Sequence, residues 1–284
     1  MPELPEVETV RQGLADFTQD QIVTGGEVLL PRTIAAPNSP EAFLEALQGC
    51  RLQAWQRRGK YLLAQLQDSA GKPAGYWGVH LRMTGQLLWL PQSEALSPHT
   101  RVRLFFPQGR ELRFVDIRTF GQMWWVPPDR SPETVIKTLA TLGPEPLGPD
   151  FGATYLQQRL ATVQRPIKNA LLDQAIVAGL GNIYADESLF LSGIHPCTPS
   201  KVLKLEQLSQ LHGAIVQVLE TSLGQGGTTM RDFRNLKGLN GNYGDQAWVY
   251  RRTGQPCRTC GTAIDRLKLG GRSTHFCPTC QPLA

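Results

Sequence analysis

The sequence predicts an α+β protein, with a β-rich first half, a helical second half and a small metal-bound hairpin at the end. Three observations carry this. Between about residues 22 and 126, short runs of aromatic and branched residues alternate with turn residues. After a proline-rich stretch, apolar residues recur at helical spacing. Last come two Cys-x2-Cys pairs, with sixteen residues between them.

The elements follow in order. Residues 5–16 read as a helix: Pro5 suits the first turn, Glu6 and Glu8 suit the positive end of the dipole, and Val7, Val10 and Leu14 form one apolar stripe. Strand texture appears at 61–67, 76–90, 101–106, 111–117 and 122–126, with a turn at 107–110 and a short helix near 40–48. Several short strands joined by turns predict a sandwich or barrel-like sheet. Residues 127–150 hold six prolines and read as a linker. Segments near 152–161, 166–177, 182–192 and 204–223 predict helices, and the glycine-rich stretch 224–247 reads as a mobile loop. The expected organisation is an N-terminal domain over 1–130, a linker over 131–150, a helical domain with the loop over 151–247, and a cysteine hairpin over 248–284.

Composition narrows the function classes. The chain has 284 residues, is 41% hydrophobic, and contains no apolar run near the ~20 residues of a membrane span. Its acidic N-terminus, with Glu3, Glu6 and Glu8, is no signal peptide, so a cytoplasmic protein is expected. There, six cysteines read as metal ligands and free thiols rather than disulfides. Net charge is +5, and the last 37 residues account for it: six Arg or Lys against Asp265 alone leave the remainder neutral. A locally basic tail points to a polyanion, and nucleic acid is the usual one.

Cys257, Cys260, Cys277 and Cys280 predict one structural Zn2+, closed because all four ligands are protein thiolates. Cys50 and Cys197 read as buried free thiols, and His275 as a surface or hairpin residue rather than a ligand. Gly270-Gly271 reads as a hairpin tip, with Arg272 projecting about 16 Å from the metal at ~3.3 Å per residue. Spacing alone makes Arg272 a phosphate contact. The other end carries the reactive candidate. Removal of Met1 would leave Pro2 as a free secondary amine beside Glu3 and Glu6, a group able to form a Schiff base with a sugar carbonyl. A helix N-terminus close by disfavours the protonated amine and holds carboxylates where they can shuttle protons. The glycines of 179–182 permit close backbone approach to phosphate or a tight helix–helix turn, and Lys168 can add a phosphate contact.

Ordered motifs extend these readings. MPELPEVETV at the start, GKYLL at 59–63, HLRMTG at 80–85, DIRTFG at 116–121, LGPEPL at 142–147, GLGNIYADESLF at 179–190, GIHP at 193–196, QGGTT at 225–229 and the four-cysteine finger resemble the bacterial formamidopyrimidine-DNA glycosylases. The resemblance runs almost the full length. It implies a β-sandwich followed by a helix–two-turn–helix domain with a zinc finger. It also implies excision of oxidised purines from damaged double-stranded DNA, then nicking of the abasic strand, by a monomer in the bacterial cytoplasm and nucleoid.

Site roles follow from the matched positions. Pro2 resembles the nucleophile, Glu3 the general acid/base, Lys60 the proton donor in β-elimination and Arg272 the residue of δ-elimination. Glu6 matches a carboxylate near the damaged nucleoside. His99, Arg118, Lys168 and Asn182 match DNA contacts. Met83, Arg118 and Phe120 match three residues that fill the void left by an extruded nucleotide. Gln164 stands at a DNA-contact position where several relatives carry a basic residue, with Arg165 as its substitute. Two rival readings are an endonuclease VIII-type glycosylase for oxidised pyrimidines and a non-catalytic zinc-finger DNA-binding protein. Leu4, where the first rival carries Gly, argues against it; intact Pro2, Glu3, Lys60 and Arg272 argue against the second.

Overall fold

The structure of the protein is a computed structural model that describes residues 1–228 and 243–283. The chain divides into two compact units. The first contains Met1–Ala140 and Thr228; the second contains Thr141–Gly227 and the described residues from 243 onward.

The first unit opens with α1 (Leu4–Thr18), followed by β1 (Gly25–Val28), β2 (Ile34–Ala36) and α2 (Pro40–Leu47). Seven strands follow: β3 (Arg51–Arg58), β4 (Tyr61–Gln67), β5 (Pro73–His80), β6 (Gly85–Pro91), β7 (Thr100–Phe106), β8 (Arg110–Asp116) and β9 (Gln122–Val126). They form two sheets, ordered β1-β7-β8-β6 and β2-β9-β5-β4-β3. Burial alternates strictly along β7, as expected for a strand with one face on a core and one in water. Trp55, Trp77, Phe106 and Phe114 belong to one core cluster, with Trp55 edge-on to Trp77 at 5.3 Å. Along α1, Leu4, Val7, Val10, Leu14 and Thr18 are buried, a stripe at helical spacing. The helix packs against β3, where Trp55 Nε1 donates to Thr18 Oγ1 at 2.9 Å.

Two sequence readings need correction here. The run 76–90 is not one strand. It breaks at 81–84 into β5 and β6, which lie in different sheets. Arg82, at φ 54, sits in the left-handed region at that break. The stretch expected as a linker also carries structure: α3 (Pro132–Val135) precedes buried Ile136 and Leu139.

The second unit contains α4 (Ala153–Leu160), α5 (Ile167–Leu171), α6 (Asn182–Leu191) and α7 (Leu205–Gly224), then the hairpin β10 (Asp265–Leu269) and β11 (Arg272–Phe276). The helix expected over 166–177 stops at Leu171. Beyond it the Gln174 side chain holds a turn together, donating to the Leu172 and Leu180 carbonyls and accepting the Gly179 N–H. Residues 183–190 of α6 are all buried, so its acids need internal partners. Glu187 obtains three, from the N–H groups of Trp248, Val249 and Tyr250 at 2.7–3.0 Å. Most of the expected mobile loop, 229–242, lies outside the described residues. No helix among the described residues is long and apolar enough to cross a membrane.

Candidate catalytic groups and nucleic-acid interface

The N-terminus of α1 gathers the first group. Pro2 is buried, and Glu3, the N-cap, is 2% exposed. The Glu3 N–H donates to Glu6 Oε2 at 2.8 Å, half of a capping box, and Glu6 Oε1 accepts the Thr228 N–H at 2.7 Å. Glu6 therefore joins the start of α1 to Thr228. Lys60 stands in the β3–β4 turn and is 6% exposed. That turn is tied to α1 through Arg57, whose Nε donates to Glu8 Oε2 at 3.1 Å while Nη1 donates to the Gly59 carbonyl at 3.0 Å. Pro2, Glu3, Glu6 and Lys60 are thus carried by neighbouring elements of one unit.

Sequence reasoning missed His80, although its motif was in view. Its ring lies 4.4 Å from that of Tyr61 and is 6% exposed, and Nδ1 accepts the Arg82 N–H at 2.9 Å. Burial, with Arg82 and Lys60 nearby, pushes the imidazole down to about 3, so it is neutral at physiological pH.

A second group lies on the turns 81–85, 97–100 and 116–121 of the same unit. Met83 is 38% exposed and Phe120 is 51% exposed, whereas most large apolar side chains of these strands are buried. The exposed Arg118 guanidinium stacks 4.9 Å over the Phe120 ring. His99 Nδ1 lies 3.3 Å from Arg101 Nη2. Gly85 and Gly121 explain their motifs: a Cβ at Gly85 would come 2.8 Å from the Phe114 ring, and one at Gly121 would overlap that ring. Both turns close onto one core phenylalanine, which leaves room only for glycine.

The second unit carries the rest. The four cysteine sulfurs lie within 4.8 Å of one another, with Cys257–Cys280 at 3.9 Å and Cys260–Cys277 at 3.4 Å. Tetrahedral zinc with ~2.3 Å Zn–S bonds sets sulfurs about 3.8 Å apart, so the four thiols fit a single structural ion. Knuckle N–H groups of Thr259 and Cys280 point at Cys257 and Cys277 sulfurs, both at 3.4 Å. Gly270 and Gly271, at φ 56 and 79, form the two-residue tip, and exposed Arg272 opens β11.

Lys168, expected as a phosphate contact, does not stand at the surface. It is fully buried, with Nζ 2.6 Å from Asp186 Oδ1, and it donates to the Ser273 carbonyl at 2.9 Å and Thr274 Oγ1 at 2.8 Å. A cation taken out of water must be paired, and this one is paired inside the fold. His275 is not at the surface either: its N–H and Nδ1 lie 3.0 and 3.1 Å from Asp186 Oδ2. Asn182 Nδ2 donates to the Ser273 carbonyl at 3.0 Å. Lys168, Asn182 and Asp186 therefore dock the strand that begins with Arg272. Gln164 is exposed, while its neighbour Arg165 pairs with Asp173. Cys50 is buried as expected, but Cys197 is only half-buried.

Comparison with known proteins places the whole chain beside one family. Residues 1–123 match the formamidopyrimidine-DNA glycosylase N-terminal domain, 142–234 the H2TH domain of the same enzymes, and 254–283 a zinc finger found in FPG and IleRS. The chain is 65% identical over 282 residues to a formamidopyrimidine-DNA glycosylase of Synechococcus sp., covering 99% of both chains. It is 61% identical to that of Acaryochloris marina, again over 99% of both. Among solved structures, a Lactococcus lactis FPG mutant in complex with DNA containing Fapy-dG superposes with a TM-score of 0.90 at 34% identity, covering 99% of this chain and all of that one. MutM (FPG) from Thermus thermophilus gives 0.88 at 37%, covering all of both chains.

Proposed function

The chain belongs to the formamidopyrimidine-DNA glycosylase family, and on that premise we infer that it is a base-excision repair glycosylase and abasic-site lyase for oxidised purines, working through Pro2. The observation that carries the Pro2 assignment is local. Two buried carboxylates, Glu3 and Glu6, lie within one helical turn of Pro2, and Glu6 is already engaged by two backbone N–H groups. The matched family position assigns the proton shuttle to Glu3, and the two N–H bonds suit Glu6 to an ordering role.

After Met1 is removed, the Pro2 amine attacks C1′ of the damaged nucleoside and the bond to the oxidised base breaks. Glu3 protonates the sugar ring oxygen, the ring opens, and an iminium joins Pro2 to C1′. Loss of a proton from C2′ expels the 3′ phosphate, with Lys60 donating a proton. A second elimination, assigned to Arg272, removes a C4′ proton and expels the 5′ phosphate; water then hydrolyses the iminium, which frees Pro2, releases the unsaturated sugar aldehyde and leaves a one-nucleotide gap. Met83, Arg118 and Phe120 fill the void in the duplex, while His99 contacts the backbone and Asn182 holds the strand that begins with Arg272. The zinc ion supplies no chemistry; it holds the hairpin. The enzyme acts as a monomer on damaged double-stranded DNA in the bacterial cytoplasm and nucleoid.

Borohydride reduction tests the central step. It should trap the protein covalently on an oligonucleotide containing 8-oxoguanine, and Pro2→Gly or a variant that retains Met1 should trap less well than the parent. Undiminished trapping in either rejects Pro2 as the nucleophile.

A further inference from the structure

Three turns that carry proposed DNA contacts meet at one buried aspartate, two at its carboxylate and one at its backbone. Asp116 ends β8 and is 1% exposed. Its Oδ1 accepts the Thr84 hydroxyl at 2.5 Å, and its Oδ2 accepts the Gly121 N–H at 2.7 Å. Thr84 Oγ1 in turn accepts the Arg118 N–H at 3.0 Å. The Asp116 backbone makes the third connection, donating to the His99 carbonyl at 2.9 Å and accepting from Arg101 Nε at 2.8 Å. Met83 directly precedes Thr84, and Phe120 directly precedes Gly121. Every exposed side chain of this surface is therefore within one residue of a group bonded to Asp116 or to Thr84.

The loop these bonds hold is not relaxed. Thr119 lies at φ 59, in the left-handed region that a β-branched residue rarely enters. Such a conformation persists only where the surroundings over-determine it. Here Arg32 donates to the Thr119 hydroxyl from outside, and Asp116 and Thr84 hold the two flanks. Bonds to an ionised acceptor are short and about twice as strong as neutral ones, which suits a carboxylate to this task.

We propose that Asp116, acting through Thr84, is the positioning residue that locks the Met83 turn to the Arg118–Phe120 loop, so that one rigid wedge fills the void left by the extruded nucleotide. This rests on the reading of Met83, Arg118 and Phe120 as void-filling residues. Without the lock, turn and loop move separately. The wedge then enters the stack less well, and Arg118 no longer meets the opposite base at a fixed angle. Arg118 can donate to cytosine O2 and N3, whereas the adenine amino group meets it donor against donor, so a wandering Arg118 discriminates less.

The test is single-turnover excision of 8-oxoguanine opposite cytosine and opposite adenine, with full-length zinc-loaded protein. Thr84→Val keeps the shape of a half-buried side chain and removes only the hydroxyl. It should slow excision opposite cytosine, and narrow the cytosine-over-adenine ratio, by roughly five- to a hundredfold, the worth of one lost buried polar contact. Thr84→Ser should restore both. Asp116→Asn, which sets a donor where an acceptor stood, should act in the same direction. The Thr84→Val/Arg118→Ala pair should narrow the ratio no further than Arg118→Ala alone, because both remove one interaction. A parental rate and ratio in Thr84→Val, with a narrowed ratio in Arg118→Ala, overturns the lock. So does a Thr84→Ser variant that behaves like Thr84→Val. An unchanged ratio in Arg118→Ala overturns the reading of Arg118 instead. The lock is then judged by rate alone: slowed in Thr84→Val and restored in Thr84→Ser supports it, and unslowed rejects it.

Discussion

Replacing Lys168 by Met separates a structural cation from a DNA contact. The substitution leaves Asp186 buried without its cation and removes a donor from the Ser273 carbonyl and the Thr274 hydroxyl, bonds of 2.9 and 2.8 Å. Breaking a buried ion pair from one side costs about 3–5 kcal/mol. Asp186 Oδ2 keeps the His275 N–H, so the low end, about 3 kcal/mol, is expected. That is a large part of the ~5–15 kcal/mol that stabilises a typical domain. Urea unfolding of zinc-loaded protein should show the loss as a lower midpoint. Changing both partners, Lys168→Met with Asp186→Leu, should recover part of it, since an apolar pair leaves no orphaned charge. The salt dependence of DNA affinity, measured on folded protein, completes the comparison. A phosphate contact contributes about 0.9 to the slope of log affinity against log salt. The slope of Lys168→Met should equal that of the parent. Parental stability combined with a slope lower by about 0.9 would refute the argument, because Lys168 would then be reaching a phosphate.

Zinc removal, or Cys257→Ser, should abolish DNA binding while the sheets of the first unit stay folded, because the four thiolates are the hairpin's main tie; circular dichroism and a binding titration on verified metal-free protein check this. Lowering the pH should destabilise the first unit through His80. Its folded value, about 3, lies below its ordinary 6.5, so between these the unfolded chain binds the extra proton. Stability is then complete above pH 6.5 and falls as the pH drops toward 3, by up to about 1.4 kcal/mol per pH unit. His80→Gln should flatten unfolding midpoints measured from about pH 4 to 7. Gly121→Ala should cost about 1–3 kcal/mol in thermal unfolding, since the new methyl must displace the Phe114 ring.

Much of the architecture was legible because it depends on local chemistry. The stripe of Val7, Val10 and Leu14 marks α1 at any tertiary arrangement, and burial along β7 and β9 follows their branched and aromatic residues. Four thiols at Cys-x2-Cys spacing specify a tetrahedral site wherever the hairpin lies. Where local reading failed, a distant partner was responsible. The run 76–90 is aromatic and apolar at both ends, and the polar residues between, His80, Arg82 and Thr84, do not by themselves show that the chain breaks at Arg82 and sends β6 to the other sheet. The segment after 166 has helical spacing throughout, yet the helix stops at Leu171 and Gln174 ties the residues that follow into a turn with Gly179 and Leu180.

The same division holds for the candidate site. Sequence alone determined which chemical groups are present: an imino acid beside two carboxylates, a lysine in a Gly-Lys-Tyr turn, a four-thiol finger with Arg272 just after its hairpin tip, and the arginine and phenylalanine of DIRTFG. These are properties of neighbours in the chain. Only the tertiary structure decided which polar side chains face inward. Lys168 and Asp186 are 18 residues apart in sequence and their ion pair is hidden from spacing. Asp116 collects bonds from turns that begin as far away as Thr84 and His99. A buried charge is tolerable only where folding brings its partners within about 3 Å. Such partners come from other elements, so a carboxylate that organises a site and one that faces water carry the same letter until the chain closes around them.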